Sequence, residues 1–340
     1  MSNTNQNENW NKILEFARWS PSPHNTQPMR LKIISPKTAE LYYDLSRGLP
    51  EGDPPARFAL TAVGIFVESM LIAAHGMDLD IKVQYLFEPL NTKKLQGTQK
   101  VANLSLIKST KAPTELDPKL LMERRTNRLA YNNQKLSQRA VDELKTEAKK
   151  FGHSFEVRGD AESVAWDTEL NKRMVFYDLD ESNVRKELSM WSRFTKKQAH
   201  RTKDGLSAEC LNVPGWGLWL FMRHYGFLRI PGLRQLLQAI YWKNMEGIVN
   251  VVWLEGPFFT TKDYINSGHL LLRIWLIMAK HKIAYHPFGS VITNEKAHEE
   301  FRKHFEIDES NKMAWLLMRA GHTDQQPPRS ERLPLEDYML

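Results

Sequence analysis

Two long apolar segments, one in each half of the chain, most constrain its fold. The first is 58-FALTAVGIFVESMLIAA-74, which Glu68 interrupts, and the second is 269-HLLLRIWLIMA-279, which Arg273 interrupts. Neither reaches the ~18–20 uninterrupted apolar residues of a membrane-spanning helix. Both are therefore predicted to be helices buried in a protein interior, and the rest of the chain has to supply the surfaces that cover them.

The two apolar segments belong to an internal repeat. When Gly64 is aligned with Gly268, residues 64–79 lie over residues 268–283 without a gap. A second pair follows the same order: helix 11–19 with strand 30–35, and helix 141–151 with strand 154–159. The repeat predicts two copies of one α+β unit, and each copy retains a part that the other has lost.

The boundary between the copies is predicted at a polar connector over residues 109–119. A chain of 340 residues is long enough for two modest domains with a sizeable core. We therefore predict a first unit over residues 1–115 and a second over residues 116–340. The second unit carries a helical insertion at about residues 190–245.

Composition and charge argue against several classes of protein. The net charge is +7, from 47 basic and 40 acidic residues, and no nucleic-acid-binding motif accompanies it, so nucleic acid is not an expected partner. The single cysteine, Cys210, excludes an internal disulfide and a multi-cysteine metal site, and no metal is expected. The polar N-terminus lacks the apolar region of a secretory signal. These features predict a cytoplasmic protein without an integral membrane segment.

The loop 20-SPSPHNTQPMR-30 follows the first amphipathic helix and is rich in proline and in hydrogen-bonding side chains. Prolines hold Ser22, Asn25 and Gln27 in a stiff segment, which suits contact with a heterocycle rich in donors and acceptors. The alternative is a helix-capping loop, because Ser20 and Asn25 are common turn residues. The ligand-binding interpretation is favoured because the run is unusual.

Two arginine-rich segments are candidates for binding a phosphate group. The first, 124-RRTNR-128, precedes a helix, and the second, 329-RSERLP-334, lies near the C-terminus. A guanidinium binds phosphate oxygens through two parallel hydrogen bonds, and Thr126 can add a hydroxyl. The alternatives are a solvated surface turn and a solvated tail.

The segment 286-HPFGS-290 is a fourth candidate. Proline followed closely by glycine makes a stiff loop whose bare backbone can approach a flat ring, although an ordinary turn explains it equally well. No GxxxxGK[ST], GxGxxG, HExxH or GxSxG motif is present. His269, on the second apolar helix, is interpreted as a core residue with satisfied hydrogen bonds.

In this order, the four motifs resemble the FMN-dependent nitroreductase family, and in particular its tandem, twin-domain branch of Acg-type FMN-binding proteins. The segment 46-SRGLPEGDPPAR-57 is also similar to that branch. Ordinary members are homodimers with FMN at the subunit interface. The resemblance implies an α+β fold of two nitroreductase-like α/β units fused as a pseudo-dimer. Each unit has an antiparallel-rich sheet, flanking helices and a long central helix.

The resemblance also implies one composite FMN site at the interface of the two units. The proline loop comes from the first unit, and the arginines and the 286–290 loop come from the second. The residues assigned to the cofactor are Pro21, Ser22, Pro23, Asn25, Gln27, Arg124, Arg125, Thr126, Arg128, Pro287, Phe288, Gly289, Ser290, Arg329 and Arg332. Arg124 and Thr126 match phosphate ligands, and Arg128 matches the basic residue beside N1/O2 of the flavin, where a cation tunes the redox potential. Met29 departs from the family, which commonly has tryptophan there.

The function implied by the resemblance is an FMN-dependent oxidoreductase. NAD(P)H is the expected reductant, and a nitroaromatic, a quinone or a flat biosynthetic intermediate is the expected acceptor. The flavin carries the chemistry, so no catalytic side chain is assigned. The alternative is a protein that stores or sequesters FMN with little reductase turnover. The chain is expected to be a monomeric pseudo-dimer, and its further dimerisation is left open.

Residues 190–245 have no counterpart in minimal family members. This segment has three interpretations. In the first it is a lid whose aromatic residues cover the flavin, and in the second the same residues belong to an ordinary core; they are Trp216, Trp219, Phe221 and Tyr225. In the third interpretation the segment is a helix that lies on a membrane surface, because arginines interleave with the aromatic residues.

Overall fold

The structure is a computed structural model that describes residues 7–92, 94–110 and 115–340. The strands are β1 (Met29–Ser35), β2 (Thr38–Asp44), β3 (Leu79–Tyr85), β4 (Thr98–Lys108), β5 (Ser154–Arg158), β6 (Ser192–Arg193), β7 (Leu206–Ser207), β8 (Asn250–Gly256), β9 (Ala284–Pro287) and β10 (Met313–Gly321). The helices are α1 (Glu8–Ala17), α2 (Arg57–His75), α3 (Lys119–Glu123), α4 (Gln138–Lys150), α5 (Ala161–Asp180), α6 (Ser182–Trp191), α7 (Lys196–Thr202), α8 (Ala208–Leu211), α9 (Gly215–Arg223), α10 (Leu233–Lys243), α11 (Thr261–Lys280), α12 (Gly289–Thr293) and α13 (Glu295–His304).

The chain divides into two compact units that do not follow sequence order. The first unit contains the described residues up to Arg124 together with Phe259–Leu276 and Glu331–Leu340. The second unit contains Arg125–Phe258 and Ile277–Ser330. Most of α11 and the C-terminal tail therefore pack with the N-terminal part of the chain. The boundary predicted at residue 115 separates the two copies of the sequence repeat, which is a different division from these compact units. That boundary stays a prediction.

The first unit is built on a four-stranded antiparallel sheet with the order β1-β2-β4-β3. The strand predicted at 30–35 is confirmed as β1, which forms a hairpin with β2 through Pro36 and Lys37. Helix α2 is the predicted apolar helix. Among the helices of the described residues it alone has the length and apolarity to cross a membrane, and 83% of its most apolar window is buried. Residues from Ala59 to Ala74 supply much of the core of this unit.

Two glycines bring α2 and α11 into backbone contact. A Cβ atom built on Gly64 would overlap the carbonyl oxygen of Ile265, and one built on Gly268 would overlap that of Thr61 and lie 2.9 Å from the Cα of Gly64. Any side chain at either position would push the helices apart. The two positions that the sequence repeat makes equivalent are thus in contact with each other.

A buried ionic cluster lies beside this helix crossing. One carboxylate oxygen of Glu68, on α2, is 2.8 Å from His269 Nδ1, and the other accepts a 2.9 Å hydrogen bond from Arg273. Tyr85 and His269 Nε2 are hydrogen-bonded at 2.7 Å. Burial alone would raise the pKa of Glu68, but His269 and Arg273 outweigh it and lower the pKa below its usual value. Both ring nitrogens of His269 have hydrogen-bond partners, as interpreted from the sequence, and its side chain is half-buried.

The second unit is built on another four-stranded antiparallel sheet, with the order β5-β8-β10-β9. Every residue of β8 is buried, and β10 is buried from Ala314 onward. Together with the sheet of the first unit, this sheet confirms the predicted α+β class with antiparallel sheets and flanking helices. The same unit contains α5 to α10, in which Phe176, Phe221, Leu228 and Leu237 form a separate small hydrophobic core.

Asp167 is an isolated buried acid on α5. The residue is 0% exposed, and neither carboxylate oxygen has a hydrogen-bond partner among the described residues. Burial, with a smaller contribution from the charge of Asp160, raises the pKa of Asp167 to about 8. The folded protein therefore holds this carboxyl group as a neutral acid at neutral pH.

We expect Gly64→Ala to destabilise the protein, because the new methyl group meets the backbone of α11. Overpacking of this kind costs ~1–3 kcal/mol or more, measured as the free energy of unfolding in a denaturant titration. Gly226→Ala is the control, since a Cβ atom there has nothing within 4 Å. Equal stability of the two variants would show that α2 and α11 are not in backbone contact.

Asp167 is expected to make stability fall with rising pH. Because its pKa is about 8 in the folded state and near the ordinary aspartate value in the unfolded state, the unfolded chain binds fewer protons between these values. The free energy of unfolding of the wild type therefore decreases by up to ~1.4 kcal/mol per pH unit in this window, relative to Asp167→Asn. Glu162→Gln, an exposed position on the same helix, is the control. A stability difference between Asp167→Asn and the wild type that is independent of pH would contradict the assignment.

Candidate functional site

The proline loop has an unusual backbone conformation. Pro23–Asn25 forms a single 3₁₀ turn, and the Ser22 hydroxyl oxygen accepts a 2.8 Å hydrogen bond from the backbone N–H of Gln27. His24, Asn25 and Gln27 all have positive φ angles near 50°. Such angles are uncommon for residues other than glycine and persist only where the surroundings enforce them. The loop is therefore held in one shape by its prolines and its own hydrogen bonds.

The buried amide side chains of this loop bind the C-terminal tail within the first unit. Asn25 accepts a 2.9 Å hydrogen bond from Arg332 and donates one of 3.2 Å to the carbonyl oxygen of Glu331. The Gln27 side-chain oxygen accepts hydrogen bonds from Leu333 N at 2.9 Å and from the Tyr338 hydroxyl at 2.7 Å. These contacts give Asn25, Gln27 and Arg332 a structural function. Their predicted role toward a cofactor stays a prediction, as do those of Pro21, Ser22 and Pro23.

Arg124 lies at the end of α3, in the first unit. Its backbone N–H caps the helix through Leu120 O, and its guanidinium carbon lies 5.6 Å from the centre of the Trp275 ring. The side chain is buried. This aromatic contact orients the guanidinium group.

The remaining arginines of the predicted phosphate group belong to the second unit. Arg125 donates a 2.6 Å hydrogen bond to the carbonyl oxygen of Pro327, so this segment and the Pro/Arg-rich tail are joined. Thr126 is half-buried and Arg329 is exposed. Asn127, between the predicted ligands, is buried, and its backbone N–H donates to Tyr285 O at 2.9 Å. That bond attaches the arginine segment to β9, which leads into the 286–290 loop.

A cluster of positive charge lies where these segments meet. Arg128 is half-buried and donates a 3.3 Å hydrogen bond to the carbonyl oxygen of Cys210. Arg319, on β10, is 0% exposed, donates to the carbonyl oxygens of Asn244 and Leu129, and has its guanidinium carbon 4.4 Å from the centre of the Tyr131 ring. No ion pair joins Arg128 or Arg319 to a carboxylate among the described residues.

His286 completes this cluster. It is paired with Arg319 across the antiparallel strands β9 and β10, which places both side chains on the same face of the sheet. Its ring is buried, and Nδ1 has no hydrogen-bond partner in the part of the chain that the structure describes. We call Arg128, Arg319 and His286 the cationic cluster.

The electrostatics of the cationic cluster follow from burial and from mutual repulsion. Burial, followed by the charges of Arg128 and Arg319, lowers the pKa of His286 well below its ordinary value, so the imidazole is neutral. Burial also lowers the pKa values of Arg128 and Arg319, although both keep their charge at neutral pH. No carboxylate is among the groups that act on the pKa of Arg319 or His286.

The predicted ring-flanking loop begins directly after His286. Phe288 is 0% exposed, and its backbone N–H donates a 2.8 Å hydrogen bond to Leu317 O. Pro287 is half-buried. Gly289 is exposed, and a Cβ atom there would have nothing within 4 Å. Ser290 hydrogen-bonds Asp178, whose pKa is raised, mainly by burial. The loop is thus anchored at Phe288 and Ser290 and open at Gly289.

Sequence reasoning missed several residues of this region. Arg319 is the one charged residue in 313-MAWLLMRAG-321, and a lone arginine in an apolar strand is a signal that it needs a partner. His286 and Tyr338 gave no comparable signal, because their contacts depend on strand pairing and on the return of the tail. Among residues 7–92, 94–110 and 115–340, no three His, Cys, Asp or Glu side chains are grouped so as to hold a metal ion.

Comparisons with known proteins find similarity only among solved structures. No family model matches the chain, and no curated protein matches it. The chain is similar to the FMN-dependent nitroreductase NfnB from Mycobacterium smegmatis, solved in complex with NADPH, with a TM-score of 0.41 and 15% identity over 64% of this chain and 94% of that one. It is also similar to a nitroreductase with bound FMN from Bacteroides fragilis, with a TM-score of 0.37 and 10% identity over 64% and 92%.

A third similar structure is a nitroreductase with bound FMN from Desulfitobacterium hafniense, with a TM-score of 0.35 and 12% identity over 64% of this chain and 94% of that one. These structures come from the family that the sequence motifs indicate. At such low TM-scores and identities, no residue of this chain acquires a role from them. The tandem arrangement stays a prediction.

Proposed function

We propose that the protein is an FMN-dependent oxidoreductase that passes a hydride from NAD(P)H through one bound FMN to a flat acceptor. A nitroaromatic, a quinone or a flat biosynthetic intermediate is the acceptor class. The cationic cluster and the adjoining loop Pro287–Ser290 are the proposed centre of the flavin site. Its position at the interface of the two sequence repeats stays a prediction.

The observation that carries this proposal is positive charge without an ionic partner, on the buried Arg319 and the half-buried Arg128. Two guanidinium groups, of Arg128 and Arg319, lie beside a neutral His286 with no carboxylate paired to either among the described residues. Burying a charge without an ionic partner is costly, and carbonyl oxygens and aromatic faces offset that cost only in part. An anionic ligand would offset the rest. Reduced FMN is such a ligand, since it carries negative charge at N1/O2 and on its phosphate group.

The cationic cluster also offers a hydrogen-bonding group that a heterocyclic ligand could use. His286 Nδ1 is buried without a partner in the described part of the chain, and a neutral imidazole nitrogen can pair with a polar atom of a ring. Gly289 leaves open space on the same loop, where bare backbone can approach a flat surface. Arg128 and His286 thus offer charge and hydrogen bonding, while Gly289 leaves room for the ring.

The chain's residues supply position and electrostatics. When bound, FMN supplies the hydride chemistry itself. With FMN bound, the charges of Arg128 and Arg319 would stabilise negative charge on the flavin, which would favour its reduced form. Arg124, Arg125 and Thr126 are the proposed phosphate ligands. The Trp275 contact of Arg124 and the Pro327 contact of Arg125 hold these side chains before a ligand arrives.

Removal of the Arg128 charge tests the site. Arg128→Met should weaken FMN binding about ten- to a hundredfold, because a hydrogen bond to a charged group contributes ~1.5–3 kcal/mol. Affinity is measured by titrating FMN into the flavin-free protein, and Arg128→Lys should restore part of it. Arg158→Met is the control, because Arg158 is also half-buried in the second unit but lies over the Trp253 ring. Unchanged affinity in Arg128→Met would exclude Arg128 from the site.

Anaerobic mixing with NADPH or NADH distinguishes turnover from storage. An oxidoreductase should lose the absorbance of oxidised flavin rapidly on mixing and regain it when a quinone or nitroaromatic acceptor is added. Flavin that stays oxidised in the presence of both nicotinamides would support the alternative, a protein that sequesters FMN.

A further inference from the structure

Several large aromatic and aliphatic side chains of the helical insertion in the second unit are exposed. They lie on α9, on and directly after the 3₁₀ turn Tyr225–Arg229, and on α10, and Trp216 is 56% exposed. We call this set the apolar face: Trp216, Trp219, Phe227, Ile230, Leu236 and Trp242. A concentration of exposed apolar residues on this scale marks an interaction surface.

The apolar face is separate from the hydrophobic core of the insertion. The inward sides of the same elements pack on Phe176, Phe221, Leu228 and Leu237, with Leu233 and Ile240 among the partly buried residues against them. Leu236 and Leu237 are neighbours in sequence, yet one is 52% exposed and the other is 7% exposed. These helices are therefore packed through their inward residues, while the side chains of the apolar face stay exposed.

The charged residues of the segment that carries the apolar face are all basic, whereas Glu169 and Asp180 of α5 lie near Trp242. Residues 210–245 contain Arg223, Arg229, Arg234 and Lys243 and no aspartate or glutamate. Arg234 is paired with Asp180 of α5, whereas Lys243 is exposed. Arg223 is exposed at the end of α9, with its guanidinium carbon 5.9 Å from the centre of the Phe194 ring.

A second basic segment adjoins the first. Helix α7 and the residue after it read 196-KKQAHRTK-203, again without an acid, although Lys196 is paired with Glu209. Phe194, just before this segment, contacts α9 closely, because a Cβ atom on Gly215 would overlap the carbonyl oxygen of Phe194. Lys197 and Arg201 are exposed. Basic residues therefore continue from α10 through α9 to α7.

We infer that the apolar face docks on the surface of an anionic lipid bilayer. Tryptophan and phenylalanine with surrounding lysine and arginine are the composition of segments that lie in the membrane interface. The positive charge attracts anionic headgroups, and the apolar side chains enter the boundary between headgroups and acyl chains. A symmetric dimer through this face is disfavoured, because an isologous contact would bring the exposed basic residues of both copies together. The inference does not rest on the proposed flavin chemistry.

Vesicle flotation of the full-length chain tests the inference. The protein should float with vesicles of phosphatidylcholine and phosphatidylglycerol at least about tenfold more than with phosphatidylcholine alone, and salt should reduce the difference. Trp216→Ser/Trp219→Ser should lower the bound fraction at least about fivefold, because both side chains are proposed to enter the interface. Lys243→Glu should also weaken binding.

Matched controls come from the first unit. Ile34→Ser/Ile107→Ser removes two side chains of similar exposure, 55% and 47%, from a different surface, and Lys37→Glu reverses an exposed charge there. These variants should float like the wild type. Circular dichroism and the melting temperature establish that each variant is folded.

Four results would overturn the inference. The first is equal binding to neutral and anionic vesicles. The second is unchanged vesicle binding of folded Trp216→Ser/Trp219→Ser, or an equal loss in the Ile34→Ser/Ile107→Ser control. The third is a concentration-dependent dimer of the wild type that this tryptophan variant abolishes, which would assign the face to a second copy of the chain. The fourth is a loss of FMN affinity in Trp216→Ser/Trp219→Ser without a loss of vesicle binding, which would assign the face to the cofactor.

Discussion

The backbone contact of Gly64 with Gly268 is the constraint on which the first unit depends. Because neither residue has a side chain, α2 and α11 approach more closely than helices separated by larger residues. This approach brings Glu68 within hydrogen-bond distance of His269 and Arg273. A wider crossing would leave a buried carboxylate without its partners, which costs far more than a lost surface ion pair.

The Glu68 cluster and the cationic cluster treat buried charge differently, and that difference is the basis for proposing the candidate site. In the first unit, Glu68 has two basic partners, and the cluster is complete within the protein. In the second, Arg128 and Arg319 have carbonyl oxygens and aromatic rings as partners. The first arrangement holds helices together. The second is the kind of site in which an anionic ligand completes the electrostatics, which is why the proposed function is centred there.

Local patterns in the sequence predict much of the fold. The apolar run 58–74 is α2, and the strands predicted at 30–35 and 154–159 are β1 and β5. The repeat also singled out Gly64 and Gly268. The contact between these two glycines was not predicted. An alignment shows that two positions are equivalent in the repeat, but it does not show that they are close in space.

Long-range pairing is the part that sequence reasoning could not reach. Gln27 accepts hydrogen bonds from Leu333 and Tyr338, and this contact between distant residues left no periodic signal. The juxtaposition of His286 with Arg319 depends on the register of two strands. The compact units also combine residues that are far apart in sequence, since most of α11 and the C-terminal tail belong to the first unit. The exposure of the apolar face could not be predicted either, because it depends on which residues of α9 and α10 pack inward.

The most direct test of the account is the flavin content of the purified chain. Protein isolated without added cofactor, or after incubation with FMN and removal of the excess, is denatured, and the released flavin is quantified by chromatography against the amount of chain. The account predicts FMN at one molecule per chain. A chain that carries no flavin and takes up none, or that holds two per chain, would contradict a single site built around Arg128, Arg319 and His286.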